Sequence, residues 1–156
     1  MRILFATGNR HKVSEASEIL SHLGHEVDQL LIHGQVPELI EPQAEGIEEV
    51  AISKVMQARD LVSGTELEDS IILAEDSGLF IDSLQGFPGP FSSYVEGTIG
   101  LSGILHLIPP ESGREAEFRA IAAVYIEGEI LTGTGICSGV ISREISGEMG
   151  FGYDPI

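Results

Sequence analysis

The first twelve residues constrain the fold of this chain more than any other segment. The apolar run Ile3-Leu4-Phe5-Ala6 leads directly into Thr7-Gly8-Asn9-Arg10-His11-Lys12, and a helical pattern follows. This order of strand, glycine-containing loop and helix is typical of α/β proteins that bind phosphate, because unpaired N–H groups at a helix N-terminus attract anions. In other α/β proteins such a loop only turns the chain. The sequence therefore predicts an α/β domain and makes this loop a candidate anion site.

The side chains of this first loop suit an anionic ligand. Gly8 lets the backbone approach a ligand closely, while Thr7 and Asn9 offer hydrogen bonds. Lys12 adds a mobile positive charge, and it is one of only two lysines in the chain, the other being Lys54. The loop is not a Walker A loop, because the G-x-x-x-x-G-K-[ST] spacing is missing.

Acidic side chains dominate the composition. The chain has 25 acidic and 8 basic residues, for a formal net charge of −17. Such a field repels nucleic acids, anionic lipids and free nucleotides, so neither a nucleic-acid polymer nor a membrane is expected as a partner. A polyanionic ligand would need a metal ion to enter. For most of these acidic residues a solvated surface, as in proteins adapted to high salt, is the simplest explanation.

Strand and helix patterns alternate in the first half of the chain, and a hairpin pattern follows in the second. Helices are predicted where apolar residues recur every three or four positions, at 13–23, 47–62 and 99–107. Strands are predicted where short apolar runs lie between turn residues, at 3–6, 27–32, 70–74, 117–126, 130–135 and 139–143. These elements indicate one α/β domain over residues 1–156 with a mixed sheet.

Lys54 interrupts the apolar face of the helix predicted over 47–62. At about 100° per residue, it projects between Ala51, Ala58 and Leu61, near the centre of that face. A lysine at the edge of such a face extends its ammonium to water. At the centre an internal anionic partner is the better interpretation.

Two adjacent carboxylates, Glu75 and Asp76, follow the strand predicted over 70–74 and precede Ser77. Ligands of open α/β sheets gather at strand ends. Adjacent residues of an extended chain point to opposite faces, so one carboxylate is expected to face a ligand and the other to make structural hydrogen bonds. A plain acidic turn is the alternative.

Carboxylates are also the only plausible ligands for a metal ion. Mg²⁺ usually takes one or two carboxylates together with waters and substrate phosphates. The nearby supply consists of Glu41, Glu45, Glu48 and Glu49. The five histidines do not have the spacing of a zinc site.

The last segment, Gly150-Phe151-Gly152-Tyr153-Asp154, places two aromatic residues beside glycines. Aromatic faces stack on bases, and an aspartate accepts hydrogen bonds from a base or sugar. A glycine-aromatic turn that packs on the core explains the segment equally well.

The remaining features concern the compartment. The single cysteine, Cys137, excludes an intramolecular disulfide and suits a reducing environment. The N-terminus lacks a signal-peptide pattern, and no apolar run approaches the ~18 residues of a membrane span. A soluble, cytoplasmic protein is expected.

Five segments, taken in order, resemble the inosine triphosphate pyrophosphatase family, also called Ham1-like or RdgB-like. Each segment is weak alone, but their order along the whole chain is specific. They are Thr7-Gly8-Asn9 with Lys12, Lys54 in an E-E-x-A-x-x-K context, Glu75-Asp76-Ser77-Gly78-Leu79, Gly86-Phe87-Pro88-Gly89 with Ser92, and residues 150–156.

The resemblance implies both a fold and a reaction. The fold is an elongated, two-lobed α/β domain around a long mixed central sheet with flanking helices, usually in a homodimer, with the nucleotide between the lobes. The reaction converts non-canonical purine nucleoside triphosphates (ITP, dITP, XTP) to the monophosphate and pyrophosphate by Mg²⁺-assisted attack of water.

The resemblance also implies roles for particular residues. Asp76 matches the general base and a metal ligand, and Glu41 matches the other metal ligand, with Glu45 as the alternative. Triphosphate-binding positions match Thr7, Gly8, Asn9, Arg10, His11, Lys12, Lys54 and Ser77. The segment that holds base and sugar matches Phe151, Gly152, Tyr153 and Asp154.

The sequence departs from this family at its end. Relatives continue into a helix with a lysine and a Ser-His-Arg motif that contact the nucleotide, so a missing C-terminal helical segment is expected here. Two other functions stay open from sequence: a Maf-like nucleotide pyrophosphatase with another base preference, and a catalytically silent nucleotide-binding or dimerisation module.

Overall fold

The computed structural model describes residues 1–42, 44, 46–147 and 150–156. Its strands are β1 (Arg2–Phe5), β2 (Glu26–Gln29), β3 (Ile71–Ile81), β4 (Glu115–Ile126) and β5 (Glu129–Val140). Its helices are α1 (Arg10–Ser21), α2 (Ile47–Val62), α3 (Ser92–Thr98) and α4 (Gly100–Leu107), and short 3₁₀ turns cover Asp82–Leu84 and Gly89–Phe91. Within this part of the chain, no helix has the length and apolar character needed to cross a lipid bilayer.

The described strands form a five-stranded sheet in the order β2-β1-β3-β4-β5. β1 is parallel to both of its neighbours, with Ile3 opposite Val27 and Ile71. β4 and β5 form a hairpin, because they are neighbours in the sheet and only Glu127 and Gly128 separate them. Both residues have positive φ angles, 51° and 88°, as tight hairpin turns require. The predicted α/β class with a mixed sheet and flanking helices is confirmed.

The chain divides into two compact units. The first consists of Met1–Ala44, Glu48–Asp76 and Ile121–Gly133, and the second of Ser77–Ala120 and Thr134–Ile156 with a short segment before Glu48. Each unit has its own hydrophobic core, and β3 and β4 contribute residues to both cores. That the two units make up a single domain over residues 1–156 stays a prediction.

In the first unit, α1 packs on buried residues of the three parallel strands. The contacts join Val13, Ala16 and Leu20 of the helix to the cluster of Phe5, Val27 and Leu73. The apolar pattern that predicts the helix over 13–23 also includes Ile19 and Leu23, but both are exposed, 65% and 68%. Leu23 lies beyond the end of α1, and Ile19 faces solvent.

The other helix of the first unit, α2, buries most of one face. Its buried apolar residues are Ile47, Val50, Ala51, Val55, Ala58 and Val62. Lys54 lies within this face and is only 8% exposed. The structure confirms the helix predicted over 47–62.

In the second unit, α3, α4 and the distal parts of β3 and β4 share a core. Its buried members are Leu79, Ile81, Val95, Ile104, Ile108, Ala116, Ile141 and Tyr153. The helix predicted over 99–107 is confirmed as α4, whereas α3 was missed because seven residues that include Gly97 are too short for a periodic pattern.

Three predicted strands need correction. β3 does not end at residue 74 but continues to Ile81, so Glu75 and Asp76 lie inside a strand rather than after it. Sequence preference disfavours acidic residues and glycine in strands, and here tertiary contacts override it. The strand predicted over 27–32 ends at Gln29. The separate strand predicted over 139–143 is also wrong, since β5 runs unbroken to Val140.

Candidate active site

The first loop is held by hydrogen bonds that prepare the start of α1. Asn9 is the N-cap, and its Oδ1 accepts hydrogen bonds from the backbone N–H groups of His11 (2.9 Å) and Lys12 (3.4 Å). The Oγ1 of Thr7 accepts one from the N–H of Asn9 (3.1 Å), and Gln29 donates to the carbonyl of Thr7 (2.7 Å). Two of the N–H groups expected to face an anion therefore already donate to the Asn9 side chain. An anion that accepted hydrogen bonds from these two groups would have to displace the Asn9 oxygen.

Gly8 has no structural requirement for glycine. Its φ angle is not positive, and a Cβ placed there would meet nothing within 4 Å. Both usual structural reasons for a glycine are therefore absent at this position. The ligand-binding role of Gly8 stays a prediction.

Arg10 and His11 begin α1. Arg10 lines an open groove of about 580 Å³ between α1 and β2, together with the hydroxyl-bearing Ser14 and Ser17. His11 contributes its backbone N–H to the cap. Their roles as triphosphate-binding residues stay predictions.

Lys12 meets the first of the two adjacent carboxylates. Its Nζ lies 2.6 Å from Oε2 of Glu75, and the two side chains are 23% and 16% exposed. Alternation along β3 places Glu75 on the same face as Leu73, and Leu73 belongs to the cluster on which α1 packs. β3 therefore positions the Glu75 carboxylate of this ion pair, and α1 positions the Lys12 ammonium.

Lys54 meets the second carboxylate on the opposite face of β3. Its Nζ donates to Oδ1 of Asp76 (3.3 Å) and to Oε1 of Glu41 (3.0 Å). The Asp76 and Lys54 side chains are 12% and 11% exposed, whereas the Glu41 side chain is 60% exposed. The internal anionic partner predicted for Lys54 is confirmed, and the adjacent carboxylates of β3 hold the two lysines of the chain, one each.

The segment that carries Glu41 is attached to α2 by Gln57. The backbone N–H of Ile40 donates to Oε1 of Gln57, and Nε2 of Gln57 donates to the Ile40 carbonyl, both at 2.8 Å. Gln57 lies three residues after Lys54, on the same side of the helix. This paired hydrogen bond places the Glu41 carboxylate over the ammonium.

Burial and charge shift the pKa values of the Lys54–Asp76 pair. Burial raises the pKa of Asp76, and the negative charge of Glu41 adds to this, while the Lys54 ammonium opposes it only in part. Burial alone would lower the pKa of Lys54, but its contacts with Glu41 and Asp76 together raise it. The lysine is thus firmly protonated, and Asp76 is a more basic carboxylate than usual.

The second unit holds a neutral hydrogen-bond network around Ser92, which is 6% exposed. The Ser92 hydroxyl donates to the Gly89 carbonyl (2.7 Å) and accepts from the Leu79 N–H (2.8 Å). Tyr153 donates its hydroxyl proton to the Ser92 carbonyl (2.8 Å). A Cβ at Gly78 would overlap the Gly89 carbonyl oxygen. The network therefore ties the strand after Ser77 to the Gly-Pro turn.

The segment predicted to hold base and sugar forms a closed turn. Oδ2 of Asp154 accepts a hydrogen bond from the Phe151 N–H (2.8 Å). Tyr153 is only 4% exposed and packs near Phe118, with ring centroids 6.4 Å apart. For Tyr153 the structure corresponds to the core-packing interpretation and not to an exposed stacking face. The substrate-binding roles of Phe151, Gly152, Tyr153 and Asp154 stay predictions, as does that of Ser77.

The carboxylates of the first unit fit a divalent cation, but they provide few ligands. Glu41 and Asp76 converge on one ammonium, which shows that both can reach a common cation. Over residues 1–42, 44, 46–147 and 150–156, no group of three or more His, Cys, Asp or Glu side chains is arranged to hold a metal ion. Glu45, the alternative ligand, lies outside the described residues. Two carboxylates suit Mg²⁺ if water and phosphate supply the other ligands.

Comparison with known proteins identifies the family. The model of the Ham1 family matches residues 3–156. The chain belongs to the Ham1 family. The dITP/XTP pyrophosphatase of Methanopyrus kandleri is 43% identical over 158 residues, which cover 100% of this chain and 78% of the relative. The dITP/XTP pyrophosphatase of Pyrococcus horikoshii is 42% identical with the same coverage. The resemblance drawn from the five segments is confirmed.

Solved structures agree with the family and the fold. A HAM1 protein from Coxiella burnetii superposes with a TM-score of 0.83 at 31% identity, and the Staphylococcus aureus Ham1 protein with 0.79 at 26%. Both alignments cover 100% of this chain and 80% of the other chain. This Ham1 chain therefore shares its architecture with its relatives.

Sequence reasoning missed three of these contacts. The Lys12–Glu75 ion pair was not foreseen, although strand alternation and the helix on that face carried the signal. The Gln57 contact with the segment before Glu41 has no short-range signal, because its partner lies 17 residues away. The role of Ser92 in fixing Leu79 also depends on a contact that only the fold creates.

Proposed function

We propose that this chain hydrolyses non-canonical purine nucleoside triphosphates, such as dITP and XTP, to the monophosphate and pyrophosphate. The coarser class, a hydrolase of triphosphate phosphoanhydride bonds, rests on Ham1 membership and on relatives named dITP/XTP pyrophosphatase. The observation that carries the proposal is the placement of both lysines, Lys12 and Lys54, on adjacent carboxylates of one buried strand. In a chain of net charge −17, these are the cations that a triphosphate would need.

In the proposed mechanism Asp76 acts on the attacking water. Its raised pKa makes its carboxylate a better proton acceptor than an ordinary aspartate. The water oxygen attacks the α-phosphorus, the bond to the bridging oxygen of the β-phosphate breaks, and Asp76 takes the water proton. Lys12 and Lys54 stabilise the charge that develops on the departing pyrophosphate.

Glu41 and Asp76 are the residues proposed to hold Mg²⁺. When bound, the ion would neutralise phosphate oxygens and favour ionisation of water. The Lys54 ammonium contacts both of these carboxylates. We also propose a cytoplasmic homodimer, which size-exclusion chromatography with light scattering would test.

A substrate panel tests the proposal directly. The purified protein is incubated with dITP, ITP, XTP, ATP and GTP plus Mg²⁺, and released pyrophosphate is measured. Faster release from dITP, ITP and XTP than from ATP and GTP is expected. Equal rates for all purines would contradict the base preference. Preference for another set of bases would favour a Maf-like enzyme, and calorimetric binding of ITP without pyrophosphate release would favour a silent nucleotide-binding module.

A further inference from the structure

We infer that the Lys54 ammonium is an internal cation that occupies the divalent-metal position until a triphosphate draws it away. The inference rests on the proposed function, because it assigns a cation position to Glu41 and Asp76. Its consequence is that the protein alone binds divalent metal weakly, and that metal and triphosphate enter together. Lys54 would thereby exclude free metal from the resting site.

The geometry places the ammonium where a ligated cation would be expected. Nζ lies 3.0 Å from a Glu41 oxygen and 3.3 Å from an Asp76 oxygen. Lys54 is also 92% buried, since its exposure is 8%. A second cation between these carboxylates would face the like charge of a largely buried lysine at close range, where electrostatic repulsion is stronger than in bulk water.

The ligand supply supports the same conclusion independently. Among the residues that the structure describes, no third carboxylate, histidine or cysteine joins Glu41 and Asp76 around one point. A metal bound there would depend on phosphate oxygens for further ligands. The phosphates would also offer Lys54 a new anionic partner, so the exchange leaves no charge unpaired.

The two carboxylates do not depend on Lys54 alone for their placement. Glu41 follows Ile40, which Gln57 holds by two backbone hydrogen bonds of 2.8 Å. Asp76 is fixed by its position in β3. Removal of the ammonium should therefore leave a preorganised pair of carboxylates rather than a collapsed one.

Metal binding without nucleotide tests the inference. Dissociation constants for Mn²⁺ are measured by electron paramagnetic resonance at neutral pH for the wild type, Lys54→Met, Lys54→Arg and Arg59→Met. Lys54→Met should bind Mn²⁺ at least about tenfold more tightly than the wild type, because a like charge beside the metal is removed. Lys54→Arg keeps the positive charge and should show no such gain.

Arg59→Met is the matched control, because it removes one positive charge from the same helix. Arg59 is exposed and contacts Asp60 and the ring of Tyr125, not Glu41 or Asp76. It should change Mn²⁺ affinity less than twofold. Equal tightening in Lys54→Met and Arg59→Met, or none in Lys54→Met, overturns the inference.

The double variant Lys54→Met/Gln57→Ala tests the placement of Glu41. It should lose most of the gain in Mn²⁺ affinity that Lys54→Met shows, and full retention of that gain would contradict the preorganisation of Glu41.

A second measurement observes Lys54 in the wild type and needs a variant only to assign its signal. With ¹⁵N-labelled lysine the chain gives two side-chain ammonium signals, and a Lys12→Arg variant identifies the one from Lys54. Mg²⁺ alone should leave the Lys54 signal in place, whereas Mg²⁺ with inorganic tripolyphosphate should shift it. A shift with Mg²⁺ alone contradicts the inference, whereas the proposed function fails separately if the substrate panel releases no pyrophosphate.

Discussion

The two units of this chain bury polar groups of different kinds. The first unit holds an ion-pair cluster, which consists of Lys12 with Glu75 and Lys54 with Asp76 and Glu41. The second holds a neutral network, in which Ser92 joins the backbone of Leu79 and Gly89 and accepts from Tyr153. Lysines and carboxylates can exchange these partners for phosphates and a metal. Neutral hydrogen bonds between backbone and hydroxyl groups have no such alternative partners.

The difference also concerns stability. Buried ion pairs contribute little net stability, because desolvation offsets their attraction, whereas a satisfied neutral hydrogen bond contributes about 1 kcal/mol. The raised pKa of Asp76 shows that its charge is held at a cost to the fold. Substitutions in the ion-pair cluster should therefore affect activity most, and substitutions in the neutral network should affect stability most.

The largest expected effect is that of Asp76→Asn. Loss of the proton acceptor should lower kcat on dITP by roughly 10²- to 10⁴-fold. The asparagine retains an oxygen that can accept from Lys54, so the thermal midpoint should change little. Pyrophosphate release and thermal unfolding are measured on the same preparation. A variant that keeps a tenth or more of the activity would remove Asp76 from its role.

Lys54→Met should have the next largest effect. Loss of one preorganised cation should lower kcat by roughly 10²- to 10³-fold. Asp76 must be ionised to act, so activity falls as the pH drops through its raised pKa. The Lys54 charge lowers this pKa, so its removal raises the pKa further and the fall should begin at a higher pH. A pH–rate profile with an unmoved acid limb would contradict this electrostatic coupling.

The sequence predicts the elements of the first unit better than their contacts. The apolar period of residues 47–62 predicts α2. The position of Lys54 within its apolar face predicts an anionic partner for that lysine. The continuation of β3 through Glu75, Asp76 and Gly78 could not be predicted, because local preference disfavours a strand there. Tertiary contacts, which form only when the chain has folded, override that preference.

The second unit was harder to predict for a different reason. α3 is too short for its pattern to show, and Ser92 acts through backbone groups 3 and 13 residues away in sequence. The glycine-aromatic segment around Tyr153 left core packing and base stacking open. The Tyr153 ring is buried, which favours core packing for this side chain. The local sequence, an aromatic residue beside glycines, does not predict whether the ring is buried.

Gly78→Ala tests the packing of the second unit. Its Cβ would overlap the Gly89 carbonyl oxygen, and strain of this kind typically costs about 1–3 kcal/mol. Urea unfolding should show this loss. Gly8→Ala is the matched control, because its Cβ meets open space, and its stability should stay within about 0.5 kcal/mol of the wild type. Equal destabilisation of Gly8→Ala would contradict the open space at that position.

The smallest expected effect is that of Tyr153→Phe. The ring contacts are kept and only the hydrogen bond to the Ser92 carbonyl is lost, so unfolding free energy at neutral pH should fall by about 1 kcal/mol.

Burial, with the nearby charge of Glu96, raises the pKa of Tyr153 from 10.0 to about 12. Above pH 10 the unfolded chain loses this proton while the folded chain keeps it, so wild-type stability falls as the pH rises towards 12. The phenylalanine variant has no hydroxyl to ionise, so its stability lacks this pH dependence. The difference in unfolding free energy between the two proteins should therefore narrow as the pH rises above 10. A constant difference would show that the Tyr153 hydroxyl ionises alike in both states and does not belong to a buried neutral network.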